Sequence, residues 1–219
     1  MGKLILVRHG ESVWNKKNIF TGWVDVALSK KGIEEAMNAG RLLSKIPFDD
    51  IYTSELSRAQ MTLQLIMLEN QDKRTLYLKQ PQDKAYEPGV KKEVIAATIS
   101  KALNERCYGD FQGKSKDELK KEVGEEKFMQ YRRSYATIPP NGESLKMTIE
   151  RALPYFDREI LPKVKEGKTV LIVAHGNSLR GIVKEIMNIS EQDIVGYEIE
   201  TGKPLFFHYE NSAFTVGSL

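Results

Sequence analysis

Two kinds of apolar pattern alternate along the chain. Residues 3–7 (KLILV) and 169–174 (TVLIVA) are short runs with little polar interruption, the pattern of strands buried on both faces of a sheet. Residues 51–53, 75–78, 97–103 and 205–209 predict further strands. Elsewhere apolar residues recur every three or four positions, the period of a helix with one buried face. Such stretches are 29–46, with Ser29 as cap and Ile33, Ala36, Met37, Gly40 and Leu43 on one side, and 56–68, with Ala59, Leu63 and Ile66. Ser115 to Glu118 has the form of a capping box before a helix through 123, and a second helix covers 125–135. A long helix over 145–160 is expected to kink at Pro154, and another runs over 178–187. Residues 69–93, with Pro81, Pro88 and Gly89, read as a surface excursion, and Pro139 to Gly142 as a loop. Strands alternating with helices predict an α/β fold, three-layer αβα with a mainly parallel central sheet.

Length and composition narrow the class. A chain of 219 residues, 41% hydrophobic, suits one α/β domain with a substantial core. The formal charge of +3 contains no block of like sign, which argues against a nucleic-acid partner yet allows a local cationic pocket. The lone cysteine, Cys107, allows no internal disulfide and points to a reducing compartment. The N-terminal apolar stretch is too short for a secretion signal. No run approaches the roughly 18 apolar residues of a membrane span, and Gly2 lacks the Ser or Thr of a myristoylation site. A cytoplasmic protein without membrane partners is expected.

Candidate chemistry sits where strands end. The first strand runs into Arg8, His9 and Gly10; the strand ending at Ala174 runs into His175, Gly176 and Asn177. In open α/β sheets ligands bind beyond the carboxyl ends of strands. Parallel, adjacent strands would turn both imidazoles to one crevice, and the helix after His175 would aim its N-terminus there, favouring an anion. The strand at 51–53 ends in TSELSRA, where Ser57 is a candidate cap and Arg58 brings a guanidinium to the same edge. Arginine forks match phosphate oxygens. The three histidines fall in no HxH or HExxH spacing, and a histidine flanked by arginines suits a phosphoryl group better than a metal. Singly, each histidine reads as a satisfied core residue. Together with two arginines they do not, because that much buried positive charge calls for a counter-anion.

RHGESVWN, FTGW, TSELSRA, LNERCYGDFQG, YRRSYATIPP and AHGNSLR occur in that order. In this the chain resembles the 2,3-bisphosphoglycerate-dependent phosphoglycerate mutases of the histidine phosphatase superfamily, from Lys3 to about Phe207. The resemblance implies a single domain over residues 1–219 of that fold, with a lid subregion at about 105–140. It implies interconversion of 3-phosphoglycerate and 2-phosphoglycerate in glycolysis and gluconeogenesis, through a phosphohistidine primed by 2,3-bisphosphoglycerate and without metal. His9 would be the nucleophile, Arg8, Arg58 and His175 the phosphoryl cage, and Glu105 the proton shuttle. Gly10, Ser12, Asn15, Thr21, Gly22, Arg106, Tyr108, Lys116, Arg132, Arg133, Gly176 and Asn177 would hold the small anionic substrate. Assembly as a homodimer or homotetramer is compatible with the resemblance. The segment between YATIPP and GESL is shorter than in many mutases, 69–93 is longer, and little follows Tyr209, which bears on the balance of mutase and phosphatase activity. Cys107 and His208 receive no role. The rivals are a phosphatase of the same superfamily, which would not need FTGW or YRR, and an inactive phospho-ligand module, which would not need His9 or Glu105. A nucleotide kinase would want a GxxxxGK[ST] loop, which is absent from the sequence.

Overall fold

The structure is a computed structural model that describes residues 1–72, 74–79 and 93–218; Pro81, Pro88 and Gly89 lie outside the described residues. Its sheet contains β1 (Gly2–Arg8), β2 (Asp50–Thr53), β3 (Thr75–Lys79), β4 (Val94–Ile99), β5 (Thr169–Ala174), β6 (Pro204–Glu210) and β7 (Ala213–Val216), in the order β3-β4-β2-β5-β1-β6-β7. The first five in sequence pair in parallel, whereas β6 lies antiparallel to β1 and β7 to β6. The helices are α1 (Val13–Lys16), α2 (Lys30–Leu42), α3 (Ser57–Glu69), α4 (Lys116–Val123), α5 (Glu125–Arg133), α6 (Leu145–Tyr155), α7 (Leu161–Lys165), α8 (Gly176–Ile186) and α9 (Glu191–Ile194).

Alternation along the strands separates two cores. Leu4, Leu6, Val170, Ile172 and Ala174 pack on one face with Phe156, Ile160 and Val164 and with Leu179, Ile182 and Val183 of α8. Ile5, Val7, Leu171 and Val173 point the other way, onto Ala39 of α2, Leu63 and Ile66 of α3, and Leu43. Each fully buried Leu, Ile or Val contributes about 1.5–3 kcal/mol relative to exposure, so a polar substitution in either run would cost several such contacts. The same division positions the site. The chain leaves β1 through helices on one face and reaches β2 on the far side of β5. It leaves β5 through α8 on the opposite face and reaches β6 on the far side of β1. β1 and β5 therefore form a topological switch point, and a crevice opens beyond their carboxyl ends. A smaller cluster, Phe20, Phe111, Leu119 and Phe128, packs away from the sheet and holds α4 and α5 together.

Four local expectations are corrected. The strand expected over 97–103 ends at Ile99; Ser100 then accepts from the Ala102 N–H and starts a 3-10 turn, Lys101–Leu103. Ser57 does not cap α3, because its hydroxyl donates to Asp25 Oδ1 (2.7 Å) and Leu56 takes the cap position without a side-chain bond. Helix α8 starts at Gly176, two residues before the expected start, with His175 as its cap residue. The helix expected over 145–160 passes through Pro154 as α6 and then widens into a π-turn, Phe156–Ile160. The unforeseen β7 follows a tight hairpin in which Asn211 and Ser212 have φ of 51° and 63°, the positive values such two-residue turns need. Among the described residues no helix is long and apolar enough to cross a membrane.

Candidate active site

The strand tips converge as their sequence suggested. Arg8 pairs with Ala174 in register, and the rings of His9 and His175 lie with centroids 5.0 Å apart. Both histidines are buried. His9 Nδ1 stands 2.7 Å from the Gly10 carbonyl, which fixes the proton on Nδ1 and leaves the lone pair on Nε2. His175 Nε2 stands 2.7 Å from Ser54 Oγ, which also accepts from the Leu56 N–H (3.2 Å). The serine proton is then free to go to Nε2, which would place the ring hydrogen of His175 on Nδ1, a nitrogen with no partner among the described residues. Burial, followed by the Arg58 and Arg8 guanidiniums, depresses the pKa of His9 well below the usual imidazole range. Burial and Arg58, then His9, do the same to His175.

A cavity of about 300 Å³ opens above the His9 ring. Six cations line it: Arg8, Arg58, Lys116, Arg132, Arg133 and Arg180. Arg58 is held by the carbonyls of Gly22 (2.7 Å) and Val24 (3.2 Å), and burial lowers its pKa to about 10. Arg8 donates to the Ile199 carbonyl at 2.8 Å. Lys116 lies over the Phe20 ring, its pKa lowered to about 8 by burial and then by Arg132. Among the described residues Arg8 Nε, His175 Nδ1 and Arg180 Nε, all buried, find no hydrogen-bond partner, a set of nitrogens that suits a bound oxyanion.

Glu105 enters the cavity from the segment after the Lys101–Leu103 turn. It is buried, and its Oε1 accepts from the Asn177 N–H (3.1 Å), Asn177 Nδ2 (2.8 Å) and the Arg106 N–H (2.8 Å). The N-terminus of α8 thus already faces the carboxyl group of Glu105. Trp23 Nε1 and Arg151 Nη2 donate to the Glu105 carbonyl, and Arg151 also binds the carbonyls of Lys101, Ala102 and Asn104. His9, Glu105 and His175 present ligand atoms within 4.8 Å of one another.

Of the residues singled out in the sequence, Asn15, Thr21, Gly22, Tyr108, Gly176 and Asn177 line the cavity together with the cations, His9 and Glu105. Gly10, Ser12, Arg106 and His175 do not; His175 lies beneath the cavity floor, against the His9 ring. Gly10 sits tight against α2, where a Cβ would lie 2.2 Å from the Gly32 carbonyl oxygen. Ser12 is buried as the cap of α1 and exchanges hydrogen bonds with Asn15. Arg106 points away to the carbonyls of Glu143 (2.6 Å) and Thr137 (3.1 Å). Arg180 and Glu198 line the cavity without having been singled out. The first was legible, since it follows Asn177 by three positions on one helix face; nothing local marks the second.

The depressed imidazoles carry a stability consequence. Unfolded, both rings take up a proton near pH 6.5; folded, they resist it. Stability is therefore present above pH 6.5 and lost as pH falls below it, with a slope approaching about 1.4 kcal/mol per pH unit for each ring. Denaturant unfolding between pH 7.5 and 5 in chloride buffer should show this loss, and added phosphate should reduce it. A flat profile would contradict the burial of two neutral rings.

A family model described as histidine phosphatase superfamily (branch 1) matches residues 4–77 and 86–219. The chain is 45% identical over 217 residues to a 2,3-bisphosphoglycerate-dependent phosphoglycerate mutase of Chlamydia pneumoniae, covering 96% of this chain and 95% of the relative. It is 42% identical over 223 residues to the protein of the same name in Chlamydia muridarum, covering 100% and 99%. Among solved structures, the alpha-ribazole phosphatase of Shigella flexneri superposes with a TM-score of 0.78 at 24% identity, covering 99% of this chain and 95% of that one. YhfR of Bacillus stearothermophilus superposes at 0.74 with 26% identity, covering 98% and 94%. The chain belongs to the histidine phosphatase superfamily and, within it, to the family of the 2,3-bisphosphoglycerate-dependent phosphoglycerate mutases.

Proposed function

We propose that the protein is an isomerase of glycolysis and gluconeogenesis that interconverts 3-phosphoglycerate and 2-phosphoglycerate through a phosphoryl group carried on His9. The observation that carries this reading is one neutral imidazole, its Nδ1 tied to a carbonyl and its Nε2 free, in a cavity lined by six cations. A phosphoglycerate has a phosphate and a carboxylate and needs two anion subsites. Arg8 and Arg58, with His175 behind His9, would form the inner one; Lys116, Arg132 and Arg133, with Asn15, Thr21 and Tyr108, would form the outer one.

His9 Nε2 attacks phosphorus in line, forming an N–P bond as the P–O bond to the substrate oxygen breaks. Glu105 gives its proton to that oxygen, and in the reverse transfer takes the proton of the hydroxyl that attacks the phosphohistidine. Arg8, Arg58 and the Nδ1 proton of His175 stabilise the charge on the equatorial oxygens. The substrate re-seats between the half-reactions so that either of two neighbouring hydroxyls reaches His9. The segment at about 105–140 acts as a lid and excludes water, which would discharge the phosphohistidine. When bound in the same two subsites, 2,3-bisphosphoglycerate supplies the phosphoryl group that loads His9. The cavity fits it, since Arg8 Nε, His175 Nδ1 and Arg180 Nε have no acceptor among the described residues. The spacing of His9, Glu105 and His175 would suit a metal ligand set, but the surrounding cations favour an anion in that space, and the reading is metal-free. It places the enzyme in the cytoplasm, with Arg106 and Ser12 as supports for Tyr108 and Asn15 rather than as ligands.

The test is an assay on protein stripped of phosphoglycerates. A trace of 2,3-bisphosphoglycerate should activate interconversion strongly. Release of inorganic phosphate without interconversion, primed or not, would instead make water the acceptor and the protein a phosphatase.

A further inference from the structure

Glu198 is a carboxylate on the rim of a cavity otherwise built for anions. It precedes β6, and its Oε1 stands 2.8 Å from Nη2 of Arg133, the last residue of α5. The Arg133 Nη1 also reaches the Val195 carbonyl (3.4 Å). The next residue, Ile199, is buried and gives its carbonyl to Arg8 at 2.8 Å. One short segment therefore touches a cation of each subsite: Arg133 through a side chain, Arg8 through the backbone. The Glu198 side chain is 69% exposed, and an ion pair so exposed contributes little to folding. Its effect on ligands is larger in kind. It places a negative charge where the substrate's own carboxylate is to bind, and it occupies the guanidinium that would bind it. Arg133, Arg180 and Arg132 hold the Glu198 carboxyl below the usual carboxylate range, so it is charged throughout the working pH range.

We infer that Glu198 competes with the substrate's carboxylate for Arg133, holding the arginine in the empty cleft and surrendering it when phosphoglycerate binds. Binding is then an exchange of one carboxylate for another on the same guanidinium, which keeps the outer subsite ordered without making it sticky. That suits an enzyme whose substrate must let go and re-seat between half-reactions. The inference rests on the proposed mutase activity and adds to it a residue that sets how tightly the outer subsite holds its ligand.

The test compares Glu198→Gln with wild type in the primed interconversion assay. The KM for 3-phosphoglycerate should fall about 2- to 5-fold, the scale of one exposed ion pair, with kcat unchanged or lower. The affinity for inorganic phosphate, which has no carboxylate, should stay within experimental scatter. In an Arg133→Gln background the same substitution should lose its effect on KM. An unchanged or raised KM in Glu198→Gln, with wild-type melting behaviour, would overturn the inference while leaving the mutase reading intact. Failure of the wild type to interconvert phosphoglycerates would sink that reading first and is seen separately.

Discussion

Replacing His9 with alanine removes turnover, by a factor on the order of 10,000 or more, and leaves the protein folded. Among the described residues that line the cavity the ring is the one imidazole, and its Nε2 is free, so no neighbour substitutes for it. His175, 5.0 Å away, has its Nε2 engaged with Ser54 and does not line the cavity. The structural cost is small for two reasons. The ring lines an open cavity, so water fills the space, and the Gly10 carbonyl loses one hydrogen bond, a cost of about 1 kcal/mol. Because the ring is neutral, no charge among Arg8 and Arg58 loses a counter-ion. Primed steady-state assays and thermal melts check both halves. Residual turnover above about a hundredth of wild type would contradict the nucleophile assignment.

Replacing Glu105 with glutamine slows transfer by a factor on the order of 100 or more, the scale of a lost proton transfer, while binding of inorganic phosphate changes little. Glutamine keeps an oxygen that can accept from the Asn177 N–H, Asn177 Nδ2 and the Arg106 N–H. The local geometry therefore survives and only the exchangeable proton is lost. Titration with phosphate and single-turnover transfer from loaded enzyme separate the two effects. A fully active Glu105→Gln would show that some other group moves the proton.

Much of this site was legible because its key residues follow directly from strands. Residues 3–7 and 169–174 are apolar enough to specify buried parallel strands, and the residues after them have little choice but the carboxyl edge of the sheet. Their adjacency required the topology, in which β5 sits between β1 and β2. That Tyr108, Lys116, Arg132 and Arg133 line one cavity was legible through the family motifs around them. Residues acting through the backbone left no trace in the sequence. Arg151 holds the segment bearing Glu105 by donating to carbonyls about fifty positions away, and a carbonyl has no residue identity to read. Ser54 was passed over because its partner, His175, lies 121 residues away. Arg106 misled in the opposite sense: its charge and its place in the NER motif suggested a ligand, yet carbonyls of the 137–143 segment absorb its donors. Local boundaries failed where one polar side chain redirected the backbone, as Ser100 does after β4 and Asp25 does at Ser57.

The most direct measurement is the chemical fate of the donor's phosphoryl group. Protein treated with labelled 2,3-bisphosphoglycerate and quenched in base should carry an acid-labile label on a single residue, Nε2 of His9, and that label should move to added 3-phosphoglycerate. No label, or an acid-stable label on a different residue, would contradict the account at its centre.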